Sequence, residues 1–82
     1  MEEYAVMLYN KDHDALVSVC STSDLKQAKD FCLVLSQLVQ KNMIVDSTVA
    51  NREPFNWVEV YDRKNQRTLM VNDKEETLQQ QQ

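Results

Sequence analysis

The sequence predicts an α+β fold, ββαββ: a mostly antiparallel four-stranded sheet with one amphipathic helix across one face. Three observations predict it. In mid-chain, Leu25, Ala28, Cys32, Leu35 and Val39 recur at helical spacing. Two short runs rich in β-branched and aromatic residues precede that stretch, and two more follow it. Each pair of runs is separated by a few polar residues, the spacing of a β-hairpin. A chain of 82 residues holds one such domain.

The elements follow in order. Residues 3–9, Glu-Tyr-Ala-Val-Met-Leu-Tyr, predict a first strand. Residues 10–14 are all polar and make a turn, and residues 15–20, Ala-Leu-Val-Ser-Val-Cys, make the second strand. The hydroxyls of Ser21 to Ser23 and the carboxylate of Asp24 then supply a helix start, because each can accept from a free backbone N–H or suit the helix dipole. The helix is expected from about residue 24 to about 42. Phe31 and Leu38 widen its apolar stripe. Val34 falls at the edge, and Leu33 falls on the back. Asn42 is a suitable stop. Residues 43–54 read as a loop or a short extended segment, and Pro54 disfavours helix just before it. Residues 55–61 and 67–71 form the third and fourth strands around a turn at Asp62 to Gln66. The domain therefore spans residues 1–72, and residues 73–82, which end in four glutamines, read as a polar, disordered tail.

Composition removes several classes of function. The chain has no glycine, so no glycine-built phosphate loop can exist, and asparagine or aspartate must fill the positive-φ turns, from Asn10, Asp12, Asn42, Asn51, Asn65 and Asn72. Cys20 and Cys32 lie in apolar stretches without a C-x-x-C spacing, which predicts two free thiols in a reducing, cytoplasmic setting. The N-terminal Met-Glu-Glu-Tyr lacks the basic and apolar regions of a signal peptide, and no stretch approaches the about 18 apolar residues that span a bilayer.

Chemistry-bearing clusters are few. Asp12, His13 and Asp14 could touch a divalent metal, but they are consecutive on a turn and His13 is the single histidine, so a solvated turn is expected. Neither cysteine should lie near His13, which argues against cysteine–histidine catalysis. Glu59 falls between Trp57 and Tyr61 and is expected either to sit at an edge or to pair with a neighbouring strand, with Arg67 as the candidate partner. The sequence thus predicts no enzyme, no cofactor and no metal site.

What remains is an uncovered face. A helix of about 18 residues is about 27 Å long and covers one face of a four-stranded sheet. Yet both faces of the first and third strands are apolar: Tyr4, Val6 and Leu8 against Ala5, Met7 and Tyr9, and Phe55, Trp57 and Tyr61 against Val58 and Val60. Such a face is expected to be covered by residues 43–54, by the tail, by a second copy, or by another protein. The sequence therefore points to an interaction module using Phe55, Trp57 and Tyr61, or the helix back at Leu33, with Arg63 beside them and Trp57 as anchor. The alternative is single-stranded nucleic acid stacked on Tyr4, Phe55, Trp57 and Tyr61 near Arg63, Lys64 and Arg67. The net charge of −4 makes that partner unfavourable.

Overall fold

Five strands and one helix make up the described region of the computed structural model, which covers residues 2–12, 15–45 and 53–75. They are β1 (Tyr4–Asn10), β2 (Ala15–Thr22), α1 (Leu25–Gln40), β3 (Trp57–Asp62), β4 (Arg67–Val71) and β5 (Lys74–Glu75). The strands form one antiparallel sheet in the order β2-β1-β3-β4-β5. The α+β class, the antiparallel sheet and the single packed helix agree with the sequence. The strand number does not: five strands replace the expected four, and the order of elements is ββαβββ.

The fifth strand comes from a two-residue turn at Asn72 and Asp73, in the segment whose composition reads as a tail. Asn72 has φ 55°, the left-handed conformation that such a tight turn requires of its first residue. Its backbone and side chain also hold the turn in place. Asn72 N–H donates to the Val58 carbonyl at 2.7 Å, and Asn72 Oδ1 accepts from Val58 N–H at 3.1 Å. Residues 76–82, the rest of the expected tail, lie outside the described residues.

The core lies between α1 and one face of the sheet. Val6, Leu8, Val58, Val60, Leu69 and Met70 come from the strands, and Ala28, Cys32, Leu35 and Val39 from the helix. These helix positions are the predicted stripe. Two bulges shape the sheet edges. One leaves Val19 without a partner opposite β1, and the other leaves Leu69 without one opposite β3. The second turns consecutive residues, Leu69 and Met70, into the core, which strict alternation forbids.

Both helix ends are closed by side chains or by a left-handed residue. Asp24 is the N-cap itself, and its Oδ1 accepts from Gln27 N–H at 3.2 Å. The Thr22 hydroxyl accepts from Asp24 N–H and donates to Gln27 Oε1. At the other end Asn42 takes φ 56°, Asn42 N–H donates to the Val39 carbonyl and Met43 N–H to the Leu38 carbonyl. That pair of bonds is a Schellman closure with asparagine in the usual glycine position. Of the expected positive-φ residues, Asn42 and Asn72 hold the role. In the β3–β4 turn it falls on Gln66 instead, while Asn65 donates through its backbone N–H and side-chain amide to Asp62. Asn51 lies outside the described residues.

Candidate interaction face

The register of the sheet sets which side chains share the face away from α1. Opposite residues in antiparallel strands lie on the same side. Tyr9 pairs with Trp57, Met7 with Glu59, and Ala5 with Tyr61. On the flanks, Leu16 of β2 stands opposite Tyr9, and Thr68 and Val71 of β4 stand opposite Tyr61 and Glu59. Among the described residues no element packs on this side. Met7, Tyr9, Trp57 and Tyr61 are half-buried by one another, and Leu16 is exposed.

Glu59 is at the centre of the face, and its side chain is only 12% accessible. Its carboxylate accepts from Trp57 Nε1 at 2.7 Å and from the Thr68 hydroxyl at 3.1 Å. Lys11 Nζ closes the group from above, 4.0 Å from the same carboxylate. It stands 4.5 Å from the centre of the Tyr9 ring and 4.8 Å from that of Trp57, within cation–π range. The Glu59 partner is therefore Lys11, from the turn after β1, and not Arg67. Arg67 lies 3.8 Å from Asp62 instead. The physical reason is the bulge at Leu69, which sets Thr68 against Tyr61 on the open face and Arg67 against Asp62 on the helix side of the sheet, away from Glu59.

Lys11 is held in position by Asn56. The Asn56 side-chain oxygen accepts from Lys11 N–H at 3.0 Å, and its Nδ2 donates to Asp12 at 3.2 Å. Asn56 N–H itself donates to the Tyr9 carbonyl. The β1–β2 turn is thereby tied to the start of β3. The same crowding raises the Tyr9 phenol pKa above its ordinary value, through burial first and then the charge of Glu59 and the neighbouring Tyr61.

The sequence-derived site residues divide. Trp57 and Tyr61 lie on the open face. Arg63 follows on the same side, with Nη2 donating to the Ser21 hydroxyl at 3.0 Å, so it bridges β3 and β2 across the end of β1. Phe55 does not belong there: it is 5% exposed and packs in the core. It precedes β3, and its N–H donates to the Ile44 carbonyl, which takes it out of the strand alternation that groups it with Trp57 in the sequence. Tyr4 likewise packs against the core, so the expected stacking platform of Tyr4, Phe55, Trp57 and Tyr61 is not formed. Tyr9, Trp57 and Tyr61 share the face instead. Leu33 is 39% exposed, but it lies on the flank of the helix toward β4 and β5, and Val34, expected at the edge of the stripe, is the more exposed of the two at 54%. With Leu25, Met70 and the Lys29–Glu75 ion pair, Leu33 lines an open groove of about 370 Å³.

The described residues of the 43–54 segment join the core edge. Ile44 packs on the core, and Val45 bridges Pro54. Residues 46–52 lie outside the described residues, as do His13 and Asp14 of the polar turn cluster. Among the described residues no group of three histidine, cysteine or carboxylate side chains could hold a metal. Both cysteines are free. Cys32 is fully buried, its thiol donates to the Asn72 carbonyl, and burial pushes its pKa up to about 11, with Glu59 adding to the effect. Burial thus disfavours the thiolate, the form that attacks or binds metal. No helix among the described residues is long and apolar enough to cross a membrane.

The face residues that sequence reasoning missed are Lys11 and Asn56, with Tyr9 named there only for its side of the strand. Only the β1–β3 pairing brings Lys11 and Tyr9 beside Asn56 and Trp57, and no local pattern encodes that pairing.

The chain matches no protein-family model, no curated protein and no solved structure.

Proposed function

We propose that the chain is a small non-enzymatic interaction module, an adaptor, inhibitor or regulator, that acts by burying the sheet face away from α1 against a protein partner or a second copy. One observation carries this reading. Tyr9, Trp57, Tyr61 and Met7 lie together on a face that no described element covers, beside exposed Leu16. Aromatic residues of this kind anchor interfaces because each brings a large apolar area with few rotatable bonds. Lys11 and Arg63 at opposite ends of the face supply charge at the rim, where it guides encounter more than it adds affinity. A cytoplasmic setting accords with the two free thiols.

Nucleic acid is the second reading, and Tyr9, Trp57 and Tyr61 near two cations support it. The Glu59 carboxylate in the middle of the face and the net charge of −4 oppose it.

The test is association of the intact chain, by light scattering for self-association and by pull-down for a partner, comparing Trp57→Ala with Arg63→Glu. Loss of association by about tenfold or more with Trp57→Ala, and a smaller loss with Arg63→Glu, is the expected result. Equal losses in both variants would remove Trp57 as the anchor. Salt-dependent binding of a fluorescent oligonucleotide would transfer the face to the nucleic-acid reading.

A further inference from the structure

The two edges of the sheet are unlike each other. At one edge β5 is two residues long, and both of them, Lys74 and Glu75, are charged and exposed. A short, charged edge resists pairing with another strand. At the other edge β2 runs for eight residues, Ala15–Thr22, with the sequence ALVSVCST. It contains no charged residue and no proline. Among the described residues nothing pairs with its outer side. Leu16 is 51% exposed toward the aromatic face, Val17 is 38% exposed toward the helix side, and Val19 is 39% exposed at the bulge. An edge strand of this length and apolarity, with its outward N–H and C=O groups unpaired, is a template for another strand.

We infer that β2 pairs antiparallel with β2 of a second copy, about a two-fold axis perpendicular to the sheet, to form one continuous ten-stranded sheet. The inference is independent of the proposed function, because it uses the strand edge and not the aromatic face. The occupant follows from what the edge accepts. A strand seated there must carry apolar side chains on both sides and no charge, and β2 has that pattern itself. Antiparallel pairing of two identical strands therefore meets no like charge in any register. Elsewhere the surface of a chain with 13 acidic and 9 basic residues repels its copy, so the neutral strip also orients the encounter. In the paired form both helices lie on one side and both aromatic faces on the other.

The experiment is hydrogen exchange of the wild-type chain at low and high concentration, with solution mass measured on the same samples. The expected result is a concentration-dependent dimer whose β2 amides gain protection as it forms. Val17→Lys, which brings two like charges into the paired strands, should weaken the dimer at least about tenfold. Circular dichroism shows whether each variant is folded, and the wild-type exchange data need no variant. A monomer at every concentration would overturn the inference. So would a dimer whose β2 amides exchange as fast as those of the monomer. If that dimer is also lost in Trp57→Ala, the aromatic face is the self-contact, which supports the proposed function while excluding the edge.

Discussion

Asn72 touches three elements at once. Its backbone N–H and side-chain oxygen hold Val58 of β3, its carbonyl accepts the Cys32 thiol of α1, and its positive φ makes the turn from β4 to β5. Asp62 organises the preceding hairpin in a similar way. Its carboxylate accepts from Lys64 N–H, Asn65 N–H and the Asn65 amide, and lies near Arg67. The Asn65 amide bond, the two backbone N–H groups and the Arg67 charge together hold its pKa below the ordinary carboxyl value, against the opposing effect of burial. A carboxyl group whose pKa is depressed on folding contributes stability that is full above its unfolded pKa, about 3.9, and is lost as pH falls through the lower folded value. Asp62→Asn should therefore lower the thermal midpoint at neutral pH, and the gap to wild type should narrow below about pH 4. Thermal melts across that range check it. A gap of constant size would show that the charge of Asp62 is not what stabilises the turn.

At the level of single elements, α1 has a lone carboxylate at its start and no acid in its first turn. Asp24 alone satisfies the Gln27 N–H with a side-chain oxygen, while Thr22 orients both residues from the end of β2. Asp24→Ala should cost about 1 kcal/mol in urea unfolding, and Asp24→Asn, which keeps the acceptor, should cost less. Equal losses would mean that the dipole interaction of the charge dominates over the hydrogen bond. Sheet elements depend less on local signals. The third strand is legible from its alternation, but Phe55 reads as its first residue because a period of two cannot show where pairing begins. The Ile44–Phe55 backbone bond decides that, and it joins residues far apart in the chain.

For the molecule taken together, the question is which aromatic residues hold the fold and which remain for contact. Phe55 is in the core and Trp57 is half-buried on the open face, although they are two residues apart. Phe55→Ala should cost about 3–5 kcal/mol. That is a large share of the total of about 5–15 kcal/mol available to a domain. Trp57→Ala should cost distinctly less, since its main fixed partners are Glu59 and the Lys11 ammonium at the surface. Urea titrations of the two variants decide the matter. If Trp57→Ala is as costly as Phe55→Ala, Trp57 is a core residue and cannot be the anchor of an interface.

Local sequence was enough to set the class of fold, the helix and its buried stripe at Ala28, Cys32, Leu35 and Val39, and the apolar character of both faces of β1 and β3. Helical and strand periods are read over a few residues, and burial follows the period. The lack of glycine likewise pointed to asparagine at positive φ, which holds at Asn42 and Asn72, while Gln66 takes the role in the β3–β4 turn. Long-range pairing settled the rest. Strand order placed β1 beside β3 and so brought Lys11 over Tyr9 and Trp57. The bulge at Leu69 took Arg67 away from Glu59. The Asn72 turn made a strand from residues whose composition reads as tail, and β2 is an edge strand of the sheet among the described residues. Each depends on which distant segments pair and in what register. The packing of the entire sheet against one helix settles that, and residues adjacent in the chain do not.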